Sequence, residues 1–130
     1  MTNDFAENAI HQVLWPDADF ESIAIGFEDV TIELRESTGR QGVFRCGGHI
    51  GFELVGFWGE MIIESAEISM TDPFIEECWN SIAERYRRPP PESGLPARDC
   101  DPEWMLFQIR FIDTSVLRVV ASEFSWRPRE

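Results

Sequence analysis

The chain contains no lysine: all 11 of its basic residues are arginine, against 24 aspartates and glutamates. Over 130 residues this leaves a formal net charge of −13. A surface this acidic repels nucleic acid and anionic lipid, so we expect neither as a partner. It attracts cationic partners and speeds their arrival. The arginines that are present can hold carboxylates in two-point geometry.

The shortage of positive charge is confined to one part of the chain. Residues 1–84 contain 17 acidic residues and three arginines, a net charge of −14. Residues 85–130 contain seven acidic residues and eight arginines, a net charge of +1. The sequence therefore predicts an acidic face contributed by its first two thirds.

Cysteine and long apolar runs are also scarce. Cys46, Cys78 and Cys100 are too few for a disulfide framework, and we expect them to be free thiols. No apolar run approaches the roughly 18 residues of a membrane-spanning helix. The first residues lack the basic and apolar regions of a secretory signal, so we expect a cytoplasmic protein without a membrane partner.

Groups that could carry catalysis are few. The two histidines are His11, expected on a helix surface, and His49. Cys46 and His49 flank two glycines, which could give half of a zinc site, but no second pair of ligands follows. No third residue stands out to orient a Cys–His pair for nucleophilic attack. Carboxylates are so abundant that their proximity is uninformative, and no phosphate-binding glycine motif is present. We therefore predict a non-enzyme with no catalytic residue, metal or cofactor.

What the chain has in quantity is apolar and aromatic residues: 43% are hydrophobic, including ten phenylalanines and five tryptophans. The length suits a single domain over residues 1–130. Alternation with period two predicts strands. They cover residues 22–27, 30–34, 42–46, 50–54, 61–68, 104–112 and 116–126. In the first two, Ile23, Ile25 and Phe27 share one face, and Val30, Ile32 and Leu34 do likewise. Gly47-Gly48 fits a tight hairpin turn.

Helical spacing appears twice. Residues 71–88 carry a continuous apolar stripe, with Thr71 as the expected N-cap and arginines at the end. Residues 4–14 predict a short N-terminal helix that Pro16 ends. Residues 89–102 contain five prolines and predict a loop. Together these patterns predict an α+β fold. We expect a mostly antiparallel sheet of about seven strands, with one long amphipathic helix packed on one face.

A binding surface is predicted around the turn at residues 56–59. Trp58 lies between a Phe and a Gly at a predicted hairpin tip, where a tryptophan is hard to bury completely. Acidic residues on the solvent faces of nearby strands would surround it as a rim. The candidate contact residues are Glu33, Glu53, Trp58, Glu60 and Glu64. The alternative is that Trp58 folds back over the sheet edge and the acids form an ordinary solvated face.

Residues 44–64 resemble a segment of small bacterial immunity proteins that are encoded beside polymorphic toxins. In that family a Cys-containing strand leads to an aromatic and glycine-rich strand, a Trp-containing turn and an Ile-rich strand, followed by a helix. The closing hairpin matches through Trp104, Asp113 and the run 119–121. The turn here reads Trp58-Gly59-Glu60, where the family pattern has Asp after Trp.

The resemblance covers roughly residues 20–124 and implies a function without catalysis. Such proteins bind and neutralise a cognate toxin domain. Because many toxin domains are basic nucleases, an acidic inhibitor would occupy a phosphate-binding surface and associate fast. The expected partner is therefore a basic toxin domain, a protein, whose surface this chain occludes.

Two other hypotheses remain open. One is a small-ligand-binding or enzymatic domain with a pocket between helix and sheet, lined by Trp79, Trp104 and Phe107. The other is a homo-oligomer that pairs through the last strand, residues 116–126, as a sheet edge.

Overall fold

A computed structural model describes residues 4–56, 59, 61–85 and 104–129, and these contain eight strands and two helices. The helices are α1 (Asp4–His11) and α2 (Pro73–Arg85). The strands are β1 (Asp19–Ile25), β2 (Asp29–Arg35), β3 (Gln41–Gly47), β4 (Gly51–Val55), β5 (Ile63–Ser69), β6 (Met105–Phe111), β7 (Val116–Ala121) and β8 (Glu123–Arg129). The predicted loop at residues 89–102 lies outside the described residues.

The strands form two four-stranded antiparallel sheets, in the orders β1-β2-β3-β8 and β4-β7-β6-β5. The α+β class and the antiparallel pairing are confirmed. The period-two pattern of β2 is also confirmed, because Val30, Ile32 and Leu34 are each completely buried. Side chains at alternate positions of a strand point to one face, and here that face is the core.

The two sheets are joined by a bent two-stranded ribbon. Strand β3 continues into β4 and pairs with β8, while β4 pairs with β7, so Gly47 lies opposite Glu123 and Gly51 opposite Val120. The prediction of a hairpin turn at Gly47-Gly48 is therefore wrong, and so is a single strand over residues 116–126, which breaks at Ser122. Both sites are corners where a strand changes sheets. Gly48 still has a positive φ of 65°, which L side chains rarely adopt.

The sheets also meet on the opposite side, at the beginnings of β1 and β5. Asp19 forms an isolated bridge with Ile62. The Phe20 amide donates to the Met61 carbonyl at 2.8 Å, and the Ile63 amide donates to the Ala18 carbonyl at 2.8 Å. The strands thus wrap around one shared core. At its centre Phe44 stacks on Phe107 with ring centroids 4.7 Å apart.

The short helix α1 belongs to this core. Ala6, Ala9 and Ile10 are buried, and Val13 and Trp15 follow them into the interior. The indole nitrogen of Trp15 donates to the Ile10 carbonyl at 2.8 Å, which satisfies a carbonyl at the end of the helix. His11 is exposed, as predicted.

The prediction of one long helix as the layer over the sheet is wrong. Helix α2 spans 13 residues and covers only part of the outer face of the second sheet. Its buried Ile75 and Cys78 pack against Leu106 and Val120 in a separate small cluster. The apolar stripe is real, but the main core is already closed by two sheets and α1.

The beginning of α2 also differs from the prediction. The cap is Asp72 instead of Thr71: its Oδ1 accepts a hydrogen bond from the Phe74 amide at 2.9 Å. Pro73 occupies the first helical position, where a missing N–H costs nothing. Neither α1 nor the described part of α2 is long and apolar enough to cross a membrane.

Candidate functional site

The predicted contact residues are divided between the two sheets. Glu33 lies on β2, where its side chain forms an ion pair with Arg129 at 3.2 Å and accepts a hydrogen bond from the Ser22 hydroxyl at 3.3 Å. Glu53 and Glu64 lie in the second sheet. Trp58 and Glu60 are outside the described residues. The structure therefore does not bring Glu33 together with Glu53 and Glu64.

Glu53 begins a row of polar side chains that crosses the whole second sheet. It forms an ion pair with Arg118 at 3.6 Å, and the Arg118 Nε donates to the Gln108 Oε1 at 3.0 Å. The Gln108 amide reaches the Glu67 Oε1 at 3.4 Å. The four residues are register partners on β4, β7, β6 and β5. Because the row holds two glutamates and one arginine, it keeps a net negative charge.

Glu64 lies at the irregularity where the β5–β6 register shifts, between Ile63 and Ser65. It lines a cavity of about 230 Å³ together with Arg110, Ile112 and Thr114. Glu64 forms no ion pair with any described residue. This carboxylate is therefore available to a cation from outside the described chain.

The most exposed aromatic residue of the described chain lies in the turn between β1 and β2. Phe27 is 99% exposed, although it was predicted on the buried face of a strand. That prediction is wrong because β1 ends at Ile25. The chain then turns through residues 26–28, with the Gly26 amide donating to the Asp29 carbonyl at 2.7 Å. A residue in such a turn no longer follows the strand's alternation.

This turn is tied to the corner between β3 and β4. The Gly48 amide donates to the Glu28 carbonyl at 2.8 Å. The His49 Nε2 lies 3.0 Å from the Gly26 carbonyl oxygen and, as its N–H tautomer, donates to it. An ion pair of 2.7 Å joins the Arg45 Nε to the Asp29 carboxylate. Three contacts thus hold a short turn whose central side chain touches little else.

A cleft of about 410 Å³ opens beside the turn. It is lined by Phe27, Glu28, Arg45, Gly48, His49 and Glu123. Asp29 neutralises Arg45, whereas Glu28 and Glu123 form no ion pair with any described residue. We call this surface, residues 26–29 with Gly48, His49 and Glu123, the hairpin-tip site. It combines an exposed aromatic ring with two unpaired carboxylates.

Neither of the two described cysteines has the low thiol pKa of a catalytic nucleophile. Cys46 is completely buried in the core, and burial strongly raises the pKa of its thiol. Burial, with Glu77 and Glu53 nearby, raises the pKa of the Cys78 thiol to about 11. Within the described ranges, no three His, Cys, Asp or Glu residues are grouped closely enough to hold a metal ion. Cys100 lies outside these ranges.

The helix–sheet interface is closely packed. Leu106 and Ile75 are 2% exposed, and Val120 is completely buried. Trp79 and Trp104 contact each other at its margin with centroids 5.1 Å apart. Phe107 lies in the main core and not at this interface, which corrects the predicted pocket lining. Three of the residues proposed or found at this interface are therefore packed against protein atoms and not exposed to solvent.

Sequence reasoning missed the hairpin-tip site, although one signal was present. The tetrapeptide Gly26-Phe27-Glu28-Asp29 places a glycine before an aromatic residue and two acids after it, as the turn around Trp58 also does in part. Comparison with known proteins adds nothing to either site: no family model, no curated protein and no solved structure matches the chain.

Proposed function

We propose that this chain is an immunity-type binding protein that neutralises a cationic bacterial toxin domain by occluding its surface. The proposal rests on the charge left over after internal pairing. Five arginines of the described chain are each joined to one carboxylate: Arg35 to Glu21, Arg40 to Glu36, Arg45 to Asp29, Arg118 to Glu53 and Arg129 to Glu33.

These pairs consume most of the described positive charge, while Glu28, Glu64 and Glu123 form no ion pair with a described residue. An unpaired carboxylate at the surface can form a charge-assisted hydrogen bond with an incoming arginine or lysine. The overall charge of −13 steers a cationic partner and opposes anionic ones. The resemblance to immunity proteins agrees with this chemistry, and we take the class of partner from it.

Growth protection tests the proposal most directly. A candidate toxin domain, encoded next to the gene for this chain, is expressed in a bacterial host with and without the chain. We expect the chain to restore growth and to form a stoichiometric complex whose affinity falls with added salt. No protection and no complex at low salt would refute the proposal.

Charge reversal identifies the contributing acids. Glu53→Lys and Glu60→Lys are expected to slow association and to weaken its dependence on salt, because both remove negative charge from the proposed contact face. Glu7→Lys, on the partly exposed side of α1, changes the net charge equally and serves as the matched control, because α1 packs on β8 and β5 and not on β4. Association rates are measured by surface plasmon resonance between low and physiological salt. Equal effects of all three variants would exclude a specific role for Glu53 and Glu60.

A further inference from the structure

We propose that the hairpin-tip site is the principal contact of this chain, and that it inserts Phe27 into an apolar pocket flanked by arginine or lysine on a cationic protein partner. The inference rests on the proposed function for the class of partner. The structural argument for the site itself stands on three features of the described residues: exposure, rigidity and charge.

Exposure sets Phe27 apart from the other apolar side chains. Ile112, Leu54 and Val55 are between 44% and 54% exposed, while Phe27 is 99% exposed. A ring this exposed contributes almost no packing to the fold. Its whole surface is available to be buried by a partner, and aromatic residues are frequent among the few that dominate an interface.

Rigidity makes this exposure useful for binding. A flexible loop would lose conformational entropy when a partner orders it, and that loss weakens association. Here the turn closes on itself through Gly26 and Asp29, and Gly48, His49 and Arg45 fix it to the corner of the neighbouring strand. The backbone under Phe27 is therefore ordered before a partner arrives.

Charge selects the occupant. Glu28 and Glu123 line the cleft beside the ring and pair with no described cation, and Arg45 in the same cleft is already paired with Asp29. Positive charge on both sides of a partner's pocket would therefore complement this rim. A second copy of this chain would bring its own net charge of −13 to the same surface. Like charges repel at such an interface, whereas a basic protein surface gains from both contacts.

The first test compares Phe27→Ala with Leu14→Ala for binding to the toxin domain that the chain protects against. Leu14 is 45% exposed after α1, so its variant removes exposed apolar surface, though less of it, away from both candidate surfaces. We expect Phe27→Ala to raise the Kd roughly 10- to 100-fold, the effect of removing one large buried apolar side chain. Leu14→Ala should leave the Kd within about 2-fold. Equal Kd values for the two variants would overturn the inference and leave the proposed function intact.

Phe27→Ala should unfold within about 1 °C of the parent chain, because its side chain is 99% exposed. Leu14→Ala removes a side chain that is about half buried, so we expect it to unfold a few degrees lower and to remain folded at the temperature of the binding assay. Glu28→Gln with Glu123→Gln forms a second variant that keeps the ring and removes the charge. It should mainly slow association and reduce its salt dependence. No change in association rate would refute the charged rim.

A second test does not depend on any toxin. The chain is titrated with a synthetic peptide of alternating arginine and leucine while its amide signals are followed by NMR. We expect saturable shifts at Phe27, Glu28, Gly48 and Glu123 that Phe27→Ala removes. Shifts spread over both sheets, or unchanged in Phe27→Ala, would overturn the site even if no toxin domain binds.

Light scattering completes the test. A monomer in solution agrees with a heterologous partner. A dimer that Phe27→Ala converts into monomers would show that a second copy occupies the site, and would overturn the proposed occupant.

Discussion

Replacement of Glu36 by glutamine should destabilise the fold more than any comparable change at the surface. Glu36 is 4% exposed and follows β2. Its carboxylate accepts hydrogen bonds from the Leu14 amide at 2.9 Å and from the Nε and Nη2 of Arg40 at 2.9 Å each. Arg40 also donates to the Gln12 carbonyl at 3.0 Å. Glu36 therefore ties the segment after α1 to the turn between β2 and β3.

The magnitude follows from these contacts. A hydrogen bond to a charged group contributes about 1.5–3 kcal/mol, but the arginine side of this pair is half exposed and its share is screened by water. Glutamine keeps one oxygen acceptor and turns an N–H donor toward another donor. We expect Glu36→Gln to lower the free energy of unfolding by about 2 kcal/mol, and the Tm by about 7 °C for a chain of this length.

The pH dependence gives the sharper test. The Arg40 hydrogen bonds lower the pKa of Glu36 below its ordinary value of 4.5; burial opposes this shift, and the Leu14 amide adds to it. A carboxyl whose pKa is lower in the folded state stabilises the fold above its unfolded pKa and loses that contribution as pH falls through the folded pKa. The stability difference between parent and Glu36→Gln should be constant from neutral pH to about 5 and shrink below 4.5.

Urea denaturation followed by circular dichroism at several pH values measures this difference. Glu33→Gln is the matched control, because Glu33 also pairs with an arginine but its side chain is 41% exposed. An exposed pair contributes about 0.5 kcal/mol or less. The reasoning would be refuted if the two variants lost equal stability at neutral pH, or if the Glu36→Gln difference did not change between pH 7 and 3.

Three further predictions follow from packing. Gly48→Ala should cost about 1–2 kcal/mol in urea denaturation, because φ is 65° and the new Cβ would lie 2.6 Å from the Ser122 hydroxyl. The Cys78 thiol has a raised pKa of about 11, so it should react with iodoacetamide at pH 8 far more slowly in the native chain than in urea. Peptide mass mapping measures the two rates, and equal rates would contradict the burial of Cys78. Phe107→Ala should cost about 3–5 kcal/mol, whereas Trp79→Ala, at the margin of the smaller cluster, should cost clearly less by the same measurement.

The sequence predicts the local part of this fold well. The alternation of apolar residues at Val30, Ile32 and Leu34 is enough to predict a strand. One face of such a strand is buried whichever element packs against it. The helix at α2 likewise follows from its apolar stripe and the Asp72-Pro73 start. Both patterns are local, so a short segment of sequence is enough to predict each element.

What the sequence does not show is how distant strands pair. The two sheets exist because Gly47 lies opposite Glu123 and Gly51 opposite Val120, residues far apart in the chain. Gly47-Gly48 serves a sheet corner as well as a hairpin, because both need a positive φ. Nothing local distinguishes the two. The same holds for α1, whose small apolar face gives no indication that it enters the main core.

The prediction of a contact site around Trp58 stays a prediction, because Trp58 and Glu60 lie outside the described residues. An aromatic residue in a glycine-flanked turn beside acids was expected around Trp58, and the structure describes that combination around Phe27. Both turns satisfy the same local rule. Both turns are also held by distant residues. Gly48 and His49 bind the turn at Phe27, with Glu123 from β8 at its rim. In the other turn the Gly59 amide donates to the Asp113 Oδ2 at 2.9 Å. The contact site that we propose at Phe27 therefore depends on two kinds of information. The turn supplies the ring, and the corner of the bent ribbon supplies the rigidity and half of the charge.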